Sequence, residues 1–349
     1  MINMKGIILH GGHGTRLRPL THTGPKQLLP IANRPMSEYC LNSIKETGIT
    51  EIAIIIGGLG SKKVIDYYGY GERFGVKITY IEQDEPKGIA HAVDLCKDFV
   101  GKDKFLVFLG DNIIQKSILE YKNNFEESES DATLLLCEVE NPSRFGIADV
   151  LEGSITKITE KPKNPTSNLA VTGIYFLTSK IFDVIKNLKP SWRNELEITD
   201  ALQKLLENNC KINYEVITDY WKDTGTPEDI INANSQILDD SKERRIGEGT
   251  IIEEGATIHK NSIIGKNCKI SSGVTIGPNT SIGDNVIIEN VDKQSSIDIE
   301  NSIIMSDCSI KGSIKIRQSI VSSKCSIKRN DNGLEDKILL LGEGTQISV

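Results

Sequence analysis

The stretch IGEGTIIEEGATIHKNSIIGKNCKISSGVTIGPNTSIGDNVII, residues 246–288, decides the fold of the C-terminal part of this chain. Isoleucine recurs in it at every sixth position: Ile246, Ile252, Ile258, Ile264, Ile270, Ile276, Ile282 and Ile288. Three residues after each of the first seven stands a glycine or an asparagine, namely Gly249, Gly255, Asn261, Asn267, Gly273, Asn279 and Asn285. Both residue types tolerate the left-handed backbone that a sharp corner requires. A large inward residue, a corner and a small inward residue in every six predict a parallel β-helix.

The repeat is less regular toward the C-terminus. Its phase slips around residues 290–296, which predicts a loop or an imperfect coil, and resumes with Ile297, Ile303, Ile310 and Ile316. The run of residues 337–342 predicts a terminal strand that covers the end of the stack.

The sequence pattern is different before the polar stretch at residues 239–245. Short apolar runs at residues 6–9, 51–56, 77–81, 105–109, 132–138 and 171–177 alternate with helical patterns, one of them near residues 36–47. Such runs predict an α/β domain with a mostly parallel sheet buried on both faces. Ligands of such sheets bind beyond the carboxyl ends of the strands. We therefore predict two domains, at residues 1–238 and 245–349.

Composition restricts the kind of protein. The 349 residues are 38% hydrophobic and 26% charged, and no apolar run approaches the roughly 18 residues of a spanning helix. No signal peptide is evident, so a cytoplasmic protein without a membrane partner is expected. The seven cysteines include no Cys-x-x-Cys pair, which predicts reduced thiols. A net charge of −7 disfavours nucleic acid as a partner.

A glycine-rich loop follows the first strand, in the run Leu9-His10-Gly11-Gly12-His13-Gly14-Thr15-Arg16. Its glycines let backbone amides approach phosphate oxygens, and Arg16 adds a forked cation. The loop is not a Walker A motif, because no Gly-Lys-Ser/Thr follows it at the required spacing. It is not a dinucleotide fingerprint either, because Leu17 stands where the third glycine would be. Lys26, between Pro25 and Pro30, completes a compact cationic site suited to a triphosphate.

Two aspartates are candidate metal ligands. Asp111 comes directly after the predicted strand at residues 105–109, and Asp223 precedes the turn-forming run Thr224-Gly225-Thr226-Pro227. Magnesium at a phosphoryl site takes one or two carboxylates, with phosphates and waters as its other ligands. By itself, Asp223 is more typical of a turn former than of a metal ligand, because the run that follows it is turn chemistry.

Seven motifs in order resemble those of the sugar nucleotidyltransferases, most closely the long form of glucose-1-phosphate thymidylyltransferase. They are the glycine-rich loop with Pro25-Lys26-Gln27, residues 82–90, 109–112, 160–162, 195–200, 221–225 and the hexapeptide tail. The resemblance covers essentially the whole chain. It implies a Rossmann-like nucleotidyltransferase domain followed by a left-handed hexapeptide-repeat β-helix.

The resemblance also implies residue roles. It assigns the nucleotide to Gly11, Gly12, Gly14, Thr15, Arg16, Gln83, Gly88 and Asp111, with Gln83 at the pyrimidine edge. It assigns the sugar phosphate to Asn112, Gly146, Glu160, Lys161, Thr172 and, as a weaker candidate, Arg193. The catalytic cations would be Arg16, Lys26 and Lys161, and Mg²⁺ would be held by Asp111 and Asp223. The family commonly has alanine where this chain has His10; we interpret that histidine as a buried structural side chain and give His13 no role.

The implied reaction joins dTTP to glucose 1-phosphate and releases pyrophosphate, in an enzyme expected to be a homo-oligomer. A uridylyltransferase that uses UTP with glucose or N-acetylhexosamine 1-phosphate stays open, because Gln83 pairs with uracil as well as thymine. A hexapeptide acyltransferase is a second alternative, although the only histidine beyond residue 238 is His259, inside the repeat. The third is a noncatalytic assembly subunit, although Arg16, Lys26, Asp111 and Asp223 are all retained.

Overall fold

Apolar runs of five to nine residues form the central strands of the N-terminal part of the molecule. The computed structural model describes residues 4–12, 14–239, 245–292, 295–329 and 336–349. Up to residue 239 the strands are β1 (Lys5–Leu9), β2 (Pro30–Ile31), β3 (Arg34–Pro35), β4 (Glu51–Ile56), β5 (Lys77–Glu82), β6 (Phe105–Leu109), β7 (Asn112–Ile114), β8 (Ala132–Glu138), β9 (Gly146–Leu151), β10 (Ser154–Glu160), β11 (Leu169–Leu177), β12 (Ile212–Ile217) and β13 (Trp221–Asp223). The helices are α1 (Met36–Glu46), α2 (Ser61–Tyr68), α3 (Ile89–Asp94), α4 (Lys97–Val100), α5 (Leu119–Glu127), α6 (Lys180–Ile185), α7 (Ile198–Glu207) and α8 (Pro227–Asp239).

The chain divides into two units of contacting residues. One consists of Met1–His13 and Ser37–Asp223, and the other of Gly14–Met36 and Thr224–Val349. The predicted domain boundary falls on residues 240–244, which lie outside the described residues. The limits 1–238 and 245–349 therefore stay a prediction.

The first unit contains a mixed sheet with the strand order β10-β9-β11-β6-β1-β4-β5, and β8 pairs with both β11 and β12. Strands β6, β1, β4 and β5 are parallel, as is the β8–β12 pair. This confirms the predicted strands and a Rossmann-like parallel half. In contrast, β11 runs antiparallel to β6, β8 and β9. An apolar run does not encode direction, and here the β9–β10 hairpin sets it.

The parallel strands are buried on both faces, as their unbroken apolar runs require. Ile7, Ala53 and Val107 are fully buried in one core cluster that also includes side chains of α3, α6 and α7. Phe105 of β6 stacks on Phe182 of α6, with ring centroids 5.5 Å apart. The buried sheet is a rigid base for the loops at its edge.

The second unit contains the predicted β-helix. Its strands are β14 (Arg245–Ile246), β15 (Ile251–Ile252), β16 (Thr257–Ile258), β17 (Ile263–Ile264), β18 (Lys269–Ile270), β19 (Val274–Ile276), β20 (Ser281–Ile282), β21 (Ile287–Glu289), β22 (Ile297–Glu300), β23 (Ile303–Ile304), β24 (Ser309–Lys311), β25 (Ile314–Arg317), β26 (Ile320–Val321), β27 (Ser326–Lys328), β28 (Asp336–Lys337), β29 (Leu340–Leu341) and β30 (Gln346–Ser348). They form three parallel sheets, in which partners such as Ile264 and Ile282 lie three hexapeptides apart.

The corners and the interior of this β-helix follow the repeat. Gly249, Gly255, Asn267, Gly273, Asn279 and Asn285 have positive φ values between 55° and 88°. Asn261 is the one predicted corner without a positive φ, and its side chain instead donates to Asp239. The repeated isoleucines from Ile264 to Ile288 are at most 1% exposed, whereas Ile246 in the first coil is 40% exposed.

The structure confirms one of the two irregularities predicted in the hexapeptide repeat and corrects the other. Between β21 and β22 the repeat is interrupted at residues 290–296, as the slipped phase predicted; residues 293 and 294 of that stretch lie outside the described residues. The segment at residues 337–342 is not a single strand. It contains the end of β28 and all of β29, which belong to different sheets, because a corner of the last coil interrupts it at the exposed Ile338.

None of the helices in the described ranges has both the length and the apolar character needed to span a membrane.

Candidate active site

Three predicted nucleotide-binding residues follow three parallel strands at the same edge of the first unit's sheet. Gly11 comes two residues after β1, Gln83 directly after β5, and Asp111 two residues after β6. The carboxyl ends of parallel strands share one edge, which is where such sheets bind ligands. The sheet therefore brings Gly11, Gln83 and Asp111 to one face of the unit, as predicted from the sequence.

Gln83 is held in a defined orientation at this edge. Gln83 is only 6% exposed. Its Nε2 lies 3.3 Å from the carbonyl oxygen of Gly88 and 3.0 Å from Nδ1 of His91. Its Oε1 faces Gly11, where a Cβ atom would lie 3.1 Å from that oxygen. Glycine at position 11 thus keeps the approach to the carbonyl oxygen of Gln83 open.

Gly88 belongs to a backbone segment that tolerates no side chain. Its φ is +107°, and a Cβ there would lie 2.5 Å from the carbonyl oxygen of Leu196. Leu196 donates its N–H to the carbonyl of Lys87 at 2.7 Å and accepts the N–H of Ala90 at 3.0 Å. These hydrogen bonds connect the segment that contains Gly88 to the segment that contains Arg193, a sugar-phosphate candidate.

A short antiparallel ladder brings the two candidate metal ligands together. Strands β7 and β13 pair so that Asp223 lies opposite Asn112, the residue after Asp111. The buried Asn112 donates from Nδ2 to Asp111 at 3.0 Å, and its Oδ1 accepts from Trp221 Nε1 at 2.8 Å. Asn112, predicted to bind the sugar phosphate, is in the structure the residue that links Asp111 to the β13 strand.

Three carboxylates, those of Glu160, Asp111 and Asp223, act on one buried phenol of this unit. The pKa of the buried Tyr175 phenol is raised, first by burial and then by the charges of Glu160, Asp111 and Asp223. Two phosphorylated substrates would be repelled by such a cluster unless cations neutralised it. In the described residues no group of three or more His, Cys, Asp and Glu side chains is arranged to hold a metal. A protein contribution of two carboxylates, Asp111 and Asp223, fits Mg²⁺, which fills its other positions with phosphates and waters.

Glu160 ends β10 and has different partners on its two carboxylate oxygens. Oε1 lies 3.3 Å from Arg193 and 3.4 Å from Lys161. Oε2 accepts from Thr199 Oγ1 at 2.9 Å. Gly146 lies opposite Glu160 in the β9–β10 hairpin, and a Cβ there would come within 2.5 Å of the Thr199 methyl group. The position of the carboxylate thus depends on residues from β10, α7 and the intervening loop.

Lys161 has a strained backbone. Its φ is +40°, an uncommon value for a residue with a side chain, and its N–H donates to the carbonyl of Phe145 at 3.0 Å. Such conformations cost on the order of 1–3 kcal/mol and are concentrated at functional sites. The strained turn places the Lys161 ammonium 3.4 Å from Glu160, and the role of Lys161 at the sugar phosphate stays a prediction.

Two other sugar-phosphate candidates have protein partners. Arg193 is 3.1 Å from Glu195 and 3.4 Å from Glu197, in addition to Glu160, so its guanidinium joins three carboxylates. Thr172 is fully buried and donates its hydroxyl to the carbonyl of Leu135 at 2.8 Å. Binding of a substrate phosphate by Arg193 or Thr172 stays a prediction.

His10 is buried, but it is not satisfied by hydrogen bonds. The residue is 2% exposed, and neither ring nitrogen has a hydrogen-bond partner in the part of the chain that the structure describes. Its ring packs edge-on against Tyr68, with centroids 6.0 Å apart. Burial lowers the pKa of His10 to about 3, although the charge of Asp111 acts in the opposite direction. The imidazole is therefore neutral at physiological pH.

The remaining phosphate candidates belong to the second unit. Thr15 and Arg16 are exposed in a single helical turn at Thr15–Leu17, after Gly14 with its φ of +55°. Thr21 donates its hydroxyl to the carbonyl of Gly14 at 2.8 Å, which fixes the start of that turn. Lys26 begins a second short turn at Lys26–Leu28, directly after Pro25. In the first unit, Gly12 has a φ of +96° and open space where a Cβ would lie, and His13 is outside the described residues.

Three contacts of the candidate residues were missed from the sequence. Thr199 and Trp221 lie inside motifs that were recognised in the sequence. No role was predicted for either residue, because in those motifs only the acidic residues and the turns suggested a function. His91 lies three residues after Gly88 on α3, and its contact with Gln83 crosses from a helix to the end of a strand. A histidine close in sequence to a glycine that the resemblance assigns to the nucleotide is a signal that could have indicated it.

Comparisons with known proteins show the family of the chain. The model of the family described as Nucleotidyl transferase matches residues 5–240, and a model described as the GMPPB C-terminal domain matches residues 258–348. The low-salt glycan biosynthesis nucleotidyltransferase Agl11 of Haloferax volcanii is 48% identical over 256 residues, 73% of this chain and 71% of that protein. A glucose-1-phosphate thymidylyltransferase of Streptomyces antibioticus is 42% identical over 257 residues, with the same coverage of 73% and 71%.

Solved structures show the same relationship. A Bacillus anthracis protein in complex with a sucrose, for which glucose-1-phosphate thymidylyltransferase activity is proposed, has a TM-score of 0.64 and 44% identity; the match covers 67% of this chain and 94% of that one. A UDP-glucose pyrophosphorylase in complex with UDP-glucose has a TM-score of 0.63 and 28% identity, covering 68% and 99%. This chain belongs to the nucleotidyl transferase family and is a sugar-1-phosphate nucleotidyltransferase.

Proposed function

We propose that the protein is a glucose-1-phosphate thymidylyltransferase, which converts dTTP and α-D-glucose 1-phosphate to dTDP-glucose and pyrophosphate. The observation that carries the proposal is Gln83, whose Oε1 faces Gly11 at the ligand-binding edge of the sheet. An amide oxygen in that position can accept the N3–H of thymine. The relatives named for this activity, at 42% identity, support the same assignment.

The proposed reaction needs positive charge more than it needs a base. A phosphate oxygen of the sugar 1-phosphate attacks the α-phosphorus of the triphosphate in line, and pyrophosphate leaves. That nucleophile is already an anion, so catalysis depends on holding two anions together and neutralising the charge that develops. Arg16, Lys26 and Lys161 would supply this charge from the protein. Mg²⁺, for which Asp111 and Asp223 are suitable ligands, would neutralise phosphate oxygens.

Glu160 is suited to the sugar. A carboxylate accepts hydrogen bonds only, and the hydroxyls of glucose are the donors that it would meet. Its neighbours Lys161 and Arg193 provide the cations expected beside the sugar's phosphate. Gly146, opposite Glu160, has no side chain, which allows the methyl group of Thr199 to pack close to the carboxylate.

The direct test is pyrophosphate release, measured with each of dTTP, UTP, dCTP, ATP and GTP against glucose 1-phosphate, N-acetylglucosamine 1-phosphate and mannose 1-phosphate. We expect the highest kcat/KM for dTTP with glucose 1-phosphate. The same assay after treatment with EDTA should show no turnover, and added MgCl₂ should restore it. Turnover limited to purine triphosphates would contradict the proposal.

A UTP-dependent uridylyltransferase is the second candidate. Its support is the resemblance to the UDP-glucose pyrophosphorylase structure. The proposed contact of Gln83 is with the edge that uracil and thymine share, so it suits either base. A kcat/KM for UTP above that for dTTP would favour this alternative.

Lys26 provides a test of the phosphate assignment. Lys26→Ala should lower kcat by about two to three orders of magnitude, because one fixed charge on the reacting phosphates is lost. Thermal unfolding of the variant checks that the fold is kept, since Lys26 lies in a short turn outside the sheet. Lys62→Ala is the matched control, because Lys62 is an exposed lysine paired with Asp66 one helical turn away. Near-normal turnover of Lys26→Ala would remove Lys26 from the mechanism.

We further propose that the enzyme acts in the cytoplasm as a homo-oligomer, since the flat flanks of a β-helix are suited to self-association. Light scattering after gel filtration measures the number of subunits.

A further inference from the structure

The amide nitrogen of Gln83 has two hydrogens and two acceptors in the protein. Nε2 lies 3.3 Å from the Gly88 carbonyl oxygen and 3.0 Å from His91 Nδ1. A carbonyl oxygen can only accept, so the amide nitrogen and not the amide oxygen must face Gly88. Nδ1 of His91 must then accept the second hydrogen, which places the ring proton of the neutral imidazole on Nε2.

This arrangement leaves the carbonyl oxygen of Gln83 as the group that meets the base. Thymine and uracil present N3–H, a donor, at the middle of their pairing edge. Cytosine presents an unprotonated N3 at the same place, so two lone pairs would face each other. Buried polar groups left unpaired in this way produce strong discrimination between substrates.

We propose that His91 is a specificity-determining positioning residue. By accepting a hydrogen bond from Nε2 of Gln83, it holds the amide so that only an oxygen acceptor faces the base, and the site thereby selects triphosphates whose base carries a ring N–H over those of cytosine. The inference rests on the proposed function, in which Gln83 contacts the base.

The two restraints on the amide differ in how they can be altered. Gly88 acts through its backbone, which is fixed by the bonds of Leu196 to Lys87 and Ala90. His91 acts through a half-buried side chain on α3, so it can be substituted while the backbone stays in place. Without the imidazole, only the 3.3 Å hydrogen bond to the Gly88 carbonyl still restrains the amide, so the turned amide, which presents a donor to cytosine, becomes more populated.

The experiment compares His91→Leu with His91→Asn. Leucine has no acceptor, whereas asparagine can place an oxygen close to the position of Nδ1. The ratio of kcat/KM for dTTP to kcat/KM for dCTP should fall about fivefold to tenfold in His91→Leu. In His91→Asn it should stay within about twofold of the parent. The KM for glucose 1-phosphate should be unchanged in both, which a general loss of structure would not produce.

An unchanged ratio in His91→Leu, or an equal loss in both variants, would overturn the inference. If His91→Leu does not fold, His91→Phe has a similar shape and no acceptor, and the same fall in the ratio is expected. Failure of the proposed function is distinguishable, because the parent enzyme would then not show its highest kcat/KM with dTTP. A parent that prefers dTTP while His91→Leu keeps that preference refutes only the role of His91.

Discussion

Glu160 illustrates how single side chains of this site depend on their neighbours. Its Oε2 has one hydrogen-bond donor, Thr199, and its Oε1 has two cations nearby. Thr199 is itself 3% exposed at the start of α7. The orientation of the carboxylate that we assign to the sugar is therefore set by a residue that need not contact the sugar.

Thr199→Val should raise the KM for glucose 1-phosphate about fivefold to tenfold and leave the KM for the nucleotide unchanged, because Glu160 loses the hydrogen bond that orients it. Valine keeps the shape of threonine, so folding should be preserved. Thr156→Val is the control, since Thr156 donates to the backbone of Asp149 on an exposed part of the same hairpin. Equal changes in both KM values would contradict a role specific to the sugar.

His10 should make the stability of the protein depend on pH. Its pKa is about 3 in the folded protein and about 6.5 in an unfolded chain, so below pH 6.5 the unfolded state binds a proton that the folded state does not. The contribution is complete above pH 6.5 and is lost as the pH falls toward about 3. Between pH 7 and pH 5 the loss should be about 2 kcal/mol.

Urea unfolding of the parent and of His10→Ala at both pH values measures this difference. The free energy of unfolding of the variant should fall less between pH 7 and pH 5. Parallel changes in the two proteins would show that His10 is not the group responsible.

At the scale of elements, the ladder between β7 and β13 joins two segments far apart in sequence. Its register brings Asp223 opposite Asn112, and Trp221 of the same strand donates to Asn112. A one-residue shift would turn Asp223 to the other face of the ladder. The pairing of two three-residue strands thus decides whether Asp111 and Asp223 can share a metal ion.

Asp223→Asn should lower kcat on the order of a hundredfold and raise the Mg²⁺ concentration needed for half-maximal turnover, because one anionic ligand is removed. Titration of activity with MgCl₂ measures both effects. Asp103→Asn is the control: Asp103 pairs with Lys5 at the opposite, amino-terminal end of β6. An unchanged Mg²⁺ requirement in Asp223→Asn would exclude Asp223 as a ligand.

The elements also show what could be predicted from the sequence. The strands that lie in the parallel core were located correctly because they are largely apolar runs with clear ends, and Asp111 after β6 could be placed at the ligand edge on that basis. The direction of β11 could not be predicted from the sequence, because it depends on pairing between distant segments. The contacts of Thr199 with Glu160 and of His91 with Gln83 are likewise tertiary, and neither follows from local periodicity.

At the scale of the whole molecule, the β-helix buries a column of mostly isoleucine side chains in each of its three sheets. Ile276 is fully buried and its register partners are Ile258 and Ile299 in the neighbouring coils. Because each coil contacts only its neighbours, removal of one such side chain weakens the stack on both sides.

Ile276→Ala should lower the free energy of unfolding by about 2–5 kcal/mol, since a buried side chain is replaced by a cavity. Ile338→Ala, at a site 73% exposed in the last coil, should stay within about 0.5 kcal/mol of the parent. Calorimetric scans of both variants measure the difference. Equal destabilisation by the two changes would show that burial of Ile276 does not carry the stability of the stack.

The backbone hydrogen bonds of Leu196 also affect how the two substrates bind. Its two hydrogen bonds, to Lys87 and from Ala90, enclose Gly88 on the nucleotide side, while its neighbours Glu195 and Glu197 are the ion-pair partners of Arg193 on the sugar-phosphate side. A ligand that orders either segment reduces the conformational entropy still to be lost by the other. The two substrates should therefore bind with positive cooperativity, and each should increase the affinity of the other by the same factor.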